Sequence, residues 1–534
     1  MMRRGDVFEL EIDGIGAAAE GVGRQEGMAV FVPGTLPGER VRVRAVQVKK
    51  SFARARLLAV LQPSAGRVQP CCPHYASCGG CMLQHAEDAL QLVLKRDIVS
   101  QALSRIGGSR CVVAPVLPAE KRLQYRNRAV LHLPAEGGAG FGFFHAGSRC
   151  VQPLIDCLLL RPVLRGFLPR LSVWLGKTGK HIPGLRALAL RCNSAEEGML
   201  CTLILDQPHP AARDAAVELL TAEPRLCGVW SCSGKPVYGA YGAKWQLLAG
   251  KGQLMDMIDG IPLSLSPASF TQVHPEQTVR LYETVRRFAA LSGRETVFDL
   301  YSGIGCIALS MAGKAKEVIG VENYAPAAAD AARNAALAGI GNCRFLAEDA
   351  AQALPRLAAE NIQPDVVVLD PPRAGCSEAV IDSVAQAVPQ RIVYVSCAPA
   401  TLARDVRRFA AAGYLPQQIQ PLDMFPQTSH VETVVLLSKG EIDSKKVRVE
   451  FSLEDVDMSG FQKGATYEQT KAYVLEHTGL KVSSLYISQV KRKCGLDVGQ
   501  NYNVSKKENA KVPQCPPEKA AAIVEALKYF QMLE

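Results

Sequence analysis

Five polar or reactive residues each follow a short apolar run in the second half of the chain. They are Tyr301, Glu322, Asp349, Asp370 and Cys397. From about residue 262 the apolar runs alternate with Ala-rich helical stretches, which predicts a parallel sheet covered by helices. In open sheets of this kind, ligands bind outside the carboxyl ends of the strands. Any one of the five could be a packing or surface residue, but their shared position predicts a ligand site at one sheet edge.

If the ligand at this edge is a methyl donor, a thiol beside it could activate a pyrimidine ring. C5 of uracil is a weak nucleophile, and addition of the Cys397 thiolate to C6 would place electron density on C5. A base must later remove the C5 proton so that the thiolate can leave. Glu432, at the start of the last strand, is the candidate base if that strand runs antiparallel to its neighbours. A free thiol has a pKa of about 8.5, and the sequence does not identify the residue that lowers it.

The segment DLYSGIG, residues 299–305, joins a short strand to a helix. Glycines at such a turn let the backbone approach a ligand, and a helix N-terminus favours polar or anionic groups. Gly303-x-Gly305-x-x-Ala308 also fits a dinucleotide fingerprint, so the loop alone does not separate NAD from S-adenosylmethionine. The acid at Asp299 favours the methyl donor.

A cysteine cluster occupies a Pro- and Gly-rich stretch nearer the N-terminus. Cys72, Cys78 and Cys81 have the spacing C-x5-C-x2-C. His74 could complete a Cys3His zinc site, whereas an iron–sulfur cube needs a fourth thiolate, for which Cys157 is the candidate. The spacing favours iron–sulfur over zinc, and either over a site without metal.

These residues need elements to position them, and composition divides the chain into four segments. Residues 1–62 carry short alternating strands and predict an OB-like β-barrel; residues 63–260 predict a mixed α+β central domain that holds the cysteines. Residues 261–440 predict a Rossmann-like α/β domain. Residues 441–534 predict one strand, at 446–453, and three helices, with no recognisable chemical motif.

Arginines alternate with valines in the barrel segment from Arg40 to Arg44. Alternation along a strand places the arginines on one face and the valines on the other. The arginine face could follow RNA phosphates or could simply be solvated.

Composition sets the outer limits. The chain has 534 residues, 48% hydrophobic and 21% charged, with a net charge of +10. These values are typical of a folded protein of several domains and favour a polyanionic partner. No apolar run reaches the roughly 18 residues of a membrane-spanning helix, and no export signal is present, so we expect a cytoplasmic protein without membrane contact. In a reducing compartment, 17 cysteines point to metal binding or chemistry rather than disulfides.

The ordered motifs resemble those of the bacterial RNA (uracil-5-)-methyltransferases, most closely the 23S ribosomal RNA enzymes. The resemblance covers roughly residues 5–439 and rests on the cysteine cluster, SFTQ (269–272), DLYSGIG, DPPR (370–373), SCAPATLARD (396–405) and MFPQTSHVET (424–433). It implies a TRAM-type RNA-binding barrel, a central domain and a Rossmann-like methyltransferase domain. One departure is Ala398, where the family usually has Asn or Asp.

The resemblance also implies functional roles. Cys397 would be the nucleophile and Glu432 the proton acceptor. The expected S-adenosylmethionine contacts are Gln272, Tyr301, Glu322, Asp349 and Asp370. The expected ligands of a [4Fe–4S] cluster are Cys72, Cys78, Cys81 and Cys157.

RNA is the expected partner, with no obligate protein partner evident. The enzyme should take its target base from a loop or flip it out, because a stacked base hides C6. The barrel and cluster favour 23S ribosomal RNA, since the tRNA-modifying branch typically lacks both. The alternatives are tRNA uridine methylation, a cytosine-5 enzyme, which usually carries a Pro-Cys nucleophile, and a non-catalytic RNA-binding or assembly factor.

Overall fold

The computed structural model describes residues 2–134, 140–154, 156–236, 240–439, 467–494 and 515–529. The chain divides into two compact units, 1–444 and 445–534. Among the described helices, none combines the length and the apolar composition that crossing a membrane requires.

The N-terminal strands close into a barrel. They are β1 (Val7–Ile15), β2 (Gly21–Gln25), β3 (Met28–Val32), β4 (Arg40–Val48) and β5 (Phe52–Gln62). Their order is β1-β2-β3-β5-β4, which confirms the predicted barrel. In β4 the valines at 41 and 43 are fully buried, while Arg40, Arg42 and Arg44 are exposed. The period-two pattern therefore builds the barrel core on one face and a basic surface on the other.

The middle of the chain forms a second sheet. Its elements are α1 (Asp88–Arg105), β6 (Arg128–His132), β7 (Gly142–Phe144), β8 (Val151–Pro153), α2 (Pro162–Lys177), a 3-10 helix (Gly179–His181), β9 (Leu185–Cys192), β10 (Met199–Leu205), α3 (Ala211–Ala222), β11 (Leu226–Ser233), β12 (Lys244–Gly250), β13 (Leu254–Ile258) and β14 (Ile261–Leu265). Seven strands pair in the order β12-β11-β10-β9-β6-β7-β8, and β13 and β14 form a hairpin.

The following region is a helix-covered, mainly parallel sheet. Its elements are α4 (Pro275–Ala289), β15 (Thr296–Leu300), α5 (Cys306–Ala312), β16 (Glu317–Val321), α6 (Ala325–Leu337), β17 (Cys343–Leu346), α7 (Ala350–Ala359), β18 (Val366–Leu369), α8 (Glu378–Gln386), β19 (Arg391–Ser396), α9 (Pro399–Ala411), β20 (Tyr414–Leu422) and β21 (Glu432–Lys439). The strand order is β17-β16-β15-β18-β19-β21-β20. The first five strands are parallel; β21 runs antiparallel to them, and β20 pairs antiparallel with β21 at the sheet edge. Apolar residues fill both faces of the central strands, as parallel sheets require. The predicted Rossmann-like domain is confirmed.

The second unit contains three described helices, α10 (Tyr467–Thr478), α11 (Ser484–Lys493) and α12 (Pro517–Tyr529). They share a small core that includes Val474, Ile487 and Ile523. The strand expected at 446–453 lies outside the described residues.

Candidate active site

Two strands bring the expected nucleophile and the expected base to one edge. β19 and β21 are antiparallel, and Ser396 pairs with Thr433. Cys397 directly follows β19, and Glu432 is the first residue of β21. Glu432 was expected to lie near Cys397 only if its strand ran antiparallel to the neighbouring strand, and β21 does run antiparallel to β19.

The Cys397 thiol lies in surroundings that oppose its ionisation. Burial, followed by the nearby carboxyl groups of Glu432 and Asp370, raises its pKa to about 11, against the lowering effect of Arg373. The side chain remains partly accessible. Arg373 is the nearby group whose positive charge favours the thiolate. The sequence presents it as part of a motif, but only the fold shows that it reaches the thiol.

Residues of the SCAPATLARD motif hold the loop that carries Arg373. Thr401 Oγ1 donates to the Arg373 carbonyl at 3.1 Å. Arg404 Nη2 donates to the Ala374 carbonyl at 2.9 Å, and the buried Asp405 carboxylate accepts from the Cys376 N–H at 2.9 Å. The N-terminal half of α9 therefore positions Arg373 beside the cysteine that precedes the helix.

Acidic side chains accumulate under this edge. Asp370 follows β18 and has a pKa raised to about 7 by burial. Burial, and then Asp370, raise the pKa of Glu432 well above its usual value, while Arg373 opposes them. Asp299, at 0% exposure, has a pKa raised to about 8, first by burial and then by Asp370. The buried Asp299 and Glu432 and the partly exposed Asp370, with one nearby arginine, favour a ligand that brings positive charge.

The DLYSGIG turn forms an open cradle beside these carboxyls. Tyr301 has a positive φ of 64°, and Gly303 has φ 54° with free space where a Cβ would stand. The Glu322 carboxylate accepts from the Gly303 N–H at 3.0 Å and from the Tyr324 N–H at 2.8 Å. Among the described residues, Asp299 Oδ1 and the Ser302 hydroxyl are buried without hydrogen-bond partners. The cradle thus offers polar atoms to a ligand.

Two expected cofactor residues lie on other elements. Gln272 is buried, and Asn127 Nδ2 donates to its backbone carbonyl at 3.4 Å. Its loop is held by the buried Arg191, whose Nη2 donates to Thr271 Oγ1 at 2.7 Å. Asp349 caps α7 and accepts from the Ala351 N–H at 2.8 Å. One carboxylate oxygen of Asp349 is therefore already engaged in capping the helix.

The four cysteines expected to bind a cluster lie near one another. Burial is the main cause that raises the pKa of Cys81 to about 12, and the neighbouring thiols of Cys157, Cys78 and Cys72 add to it. All four are free thiols. Within the described residues, however, no three His, Cys, Asp or Glu side chains are grouped closely enough to hold a metal ion.

Two family models match parts of the chain. The TRAM domain matches residues 2–58, and the family described as tRNA (Uracil-5-)-methyltransferase matches residues 263–440. The first match covers most of the barrel, and the second covers the sheet that carries Cys397 and Glu432.

Curated relatives match most of the chain. An uncharacterised RNA methyltransferase of Thermosynechococcus vestitus is 38% identical over 446 residues, which are 82% of this chain and 99% of the relative. Another, from Halalkalibacterium halodurans, is 37% identical over 448 residues, covering 82% and 98%.

A solved structure supports the fold. The tRNA (uracil-54, C5)-methyltransferase of Pyrococcus abyssi, in complex with S-adenosyl-L-homocysteine, superposes with a TM-score of 0.64. It is 24% identical, and the match covers 80% of this chain and 99% of that one.

Proposed function

Because the chain belongs to the S-adenosylmethionine-dependent RNA (uracil-5-)-methyltransferase family, we propose that it methylates C5 of a uridine through a covalent bond from Cys397 to C6. The observation that carries this proposal is the antiparallel pairing of β19 with β21, which sets Cys397 and Glu432 at one edge with Arg373 beside both.

The chemistry runs in three steps on the uracil ring. The Cys397 thiolate, favoured by Arg373, forms a bond to C6, and the electron pair of the C5=C6 bond moves into the enolate. S-adenosylmethionine, when bound, supplies an electrophilic methyl group, which C5 takes, leaving S-adenosylhomocysteine. Glu432 then accepts the C5 proton; the double bond reforms as the C6–S bond breaks, and the thiolate is restored. Glu432 must be anionic to accept this proton, and the positive charge of the nearby Arg373 favours the anionic carboxylate.

We assign the cofactor to the cradle of DLYSGIG and the buried carboxyls. Gln272, Tyr301, Glu322, Asp349 and Asp370 would contact it. The free space at Gly303 and the unpartnered atoms of this turn support the assignment. The excess of carboxyl groups over nearby cations also supports it, because it suits a sulfonium cation.

We also propose that Cys72, Cys78, Cys81 and Cys157 hold a [4Fe–4S] cluster. One zinc ion holds its thiolates at about 2.3 Å, whereas a cube gives each thiolate its own iron and spaces the sulfurs further apart. The support for the assignment is that Cys81 lies near the thiols of Cys157, Cys78 and Cys72, which gives the four thiolates that a cube needs. Its role would be structural or RNA-positioning, because methyl transfer needs no redox step.

The iron content of anaerobically purified protein tests the cluster. We expect about four irons and four sulfides per chain, and their loss in Cys157→Ser. The exposed Cys150 provides the matched control, and Cys150→Ser should keep the full content. Bound zinc, or a Cys157→Ser protein with unchanged iron, would contradict the assignment.

We propose 23S ribosomal RNA as the substrate, on the motif-level resemblance to the enzymes that modify it. Transfer RNA is the second candidate, favoured by the likeness to the Pyrococcus abyssi tRNA enzyme.

Methyl transfer to defined RNAs decides between the candidates. Unmodified 23S ribosomal RNA and tRNA transcripts are incubated with labelled S-adenosylmethionine, and 5-methyluridine is mapped. We expect label in 23S ribosomal RNA with wild-type protein and none with Cys397→Ala. Label only in tRNA would transfer the proposal to that substrate, label in 5-methylcytidine would indicate a cytosine enzyme, and no label in any RNA would favour a non-catalytic RNA-binding factor.

A further inference from the structure

The loop that leads into Glu432 is unusually well buried. This loop, residues 423–431, connects β20 to β21, and we call it the anchor loop. Asp423, Met424 and Val431 have 0% exposure, and Gln427 has 7%. Buried loop backbone must find hydrogen-bond partners within the protein. The identity of those partners shows what holds Glu432 in place.

An amide pair joins the anchor loop to α1. Gln91 Nε2 donates to Gln427 Oε1 at 3.0 Å, and the Gln427 N–H donates to Gln91 Oε1 at 3.1 Å. Gln91 is 1% exposed. Gln427 has a φ of +70°, a left-handed conformation that a non-glycine residue keeps only when its surroundings enforce it. The two hydrogen bonds between Gln91 and Gln427 help to hold this backbone conformation.

A buried ion pair joins the same two elements one helical turn further along. Lys95 Nζ contacts Asp423 Oδ1 at 2.5 Å and donates to the Phe425 carbonyl at 2.9 Å. Lys95 and Asp423 both have 0% exposure. A buried ion pair adds little net stability but can specify one conformation. Here the conformation is that of the anchor loop.

The segment that follows the last clustered cysteine reaches the loop from another direction. The N–H groups of Met82 and Leu83 both donate to the Gln427 carbonyl, at 3.1 and 3.0 Å. The Tyr125 hydroxyl donates to the Pro426 carbonyl at 3.1 Å. The loop is thus held from α1, from the cysteine-rich segment and from the strand-preceding residue Tyr125.

We propose that Gln91 and Lys95 are positioning residues for Glu432, acting through the anchor loop. The proposal rests on the proposed role of Glu432 as proton acceptor. Cys397 lies on the other strand of the pair, between β19 and α9, so the anchor loop continues directly into Glu432 and reaches Cys397 only across the strand pair. Disturbing the loop should therefore slow removal of the C5 proton more than it slows formation of the C6–S bond.

The kinetic signature is a methylated adduct that persists. Gln91→Leu keeps the size of the side chain and removes its polar atoms. With ordinary substrate RNA and S-adenosylmethionine, we expect Gln91→Leu to form the covalent protein–RNA adduct at near the wild-type rate and to release it about 10–100-fold more slowly, the size of effect that misplacing a reactive group can have. The adduct is measured as a denaturant-stable band carrying labelled methyl. Lys95→Met should behave alike, and Lys95→Arg should restore release in part.

Controls separate positioning from loss of structure. Gln101→Leu, the same change on the same helix away from the anchor loop, should release RNA as the wild type does. Equal slowing of adduct formation and release in Gln91→Leu, or release at the wild-type rate, would overturn the inference.

Glu432→Gln separates this inference from the proposed function. If Glu432→Gln accumulates the adduct and Gln91→Leu does not, only the positioning role fails. If Glu432→Gln accumulates no adduct, the role proposed for Glu432 fails and the positioning role fails with it.

Discussion

Cys397 must become a thiolate in surroundings that favour the thiol. Burial and the carboxyl groups of Glu432 and Asp370 raise its pKa, while Arg373 acts in the opposite direction. The same guanidinium also opposes the rise in the pKa of Glu432. One arginine therefore serves both the first and the last step of the proposed reaction.

Replacing Arg373 should slow the attack on C6 most at neutral pH. In Arg373→Met the pKa of Cys397 rises above its present value of about 11. The thiolate fraction falls about tenfold for each unit of that rise. The pH–rate profile of adduct formation should move to higher pH, with partial recovery in Arg373→Lys. A profile that keeps its position in Arg373→Met would contradict this role.

The role of Arg373 shows where reasoning from sequence stops. Two prolines separate it from Asp370, and the motif indicates that both belong to a site. Its contact with Cys397, 24 positions later in the chain, exists because β18 and β19 are adjacent parallel strands and end at the same edge. Adjacency of strands is a property of the whole sheet, and no local pattern encodes it.

At the scale of elements, the last two strands decide the chemistry. Alternation of apolar runs and helices was enough to predict the parallel sheet and the edge at which its ligands bind. The sequence does not predict the direction of β21, because an apolar strand has the same pattern in either direction. The antiparallel pairing of Ser396 with Thr433 resolves it.

A helix end compensates for one departure from the family pattern. Ala398 is the N-cap of α9 and has no side-chain acceptor for the first helical N–H groups. Ser396 Oγ accepts from the Ala398 N–H at 3.1 Å, and the single Thr401 hydroxyl proton is shared between the Ala398 carbonyl, at 3.0 Å, and the Arg373 carbonyl, at 3.1 Å. The hydroxyls before and after the missing cap side chain order the backbone next to Cys397.

The end of β15 should make stability depend on pH. Burial raises the pKa of Asp299 to about 8 in the folded protein, against about 3.9 for an unperturbed carboxyl group. The folded state therefore keeps a proton that the unfolded state loses, so this residue lowers stability progressively as pH rises from about 4 to 8. Asp299→Asn cannot ionise, and its Tm should exceed that of the wild type by a margin that grows from pH 5 to pH 8. An equal margin at both pH values would contradict the assignment.

At the scale of the whole molecule, the barrel supplies a basic surface. Ion pairs within the barrel already neutralise part of its charge. Glu9 forms ion pairs with Arg40 at 2.6 Å and with Arg42 at 3.1 Å. Arg44 and Arg56 are exposed and lie opposite each other on β4 and β5. Like charges directly opposite on neighbouring strands are unfavourable, and a phosphate between them would remove that cost.

Neutralising either member of this arginine pair should weaken RNA binding in a salt-dependent way. For Arg44→Gln and Arg56→Gln we expect the slope of log affinity against log salt to fall by about one each. Arg24→Gln, an equal loss of charge on the exposed face of β2, serves as control and should keep the slope. Unchanged slopes in both test variants would exclude the pair as a phosphate contact.

The second unit should be dispensable for methyl transfer. The matches to the two relatives cover 98–99% of the relatives' length but only 82% of this chain. Residues 1–444 form a compact unit of their own. A chain ending at Ser444 is expected to keep the kcat of the full chain on substrate RNA. A large fall in kcat, with the melting behaviour of the first unit retained, would assign the second unit a part in catalysis.

The central claim is that Cys397 bonds transiently to C6 of a uridine, and a 5-fluorouridine-containing RNA tests it most directly. Fluorine at C5 cannot leave as a proton, so the reaction should stop after methyl transfer with the RNA still attached. Incubation with S-adenosylmethionine, followed by protease digestion and mass spectrometry, should yield a methylated fluorouridine on the peptide that contains Cys397, and no adduct with Cys397→Ala. Attachment to a different residue, or no adduct on an RNA that the protein methylates when uridine is present, would contradict the account.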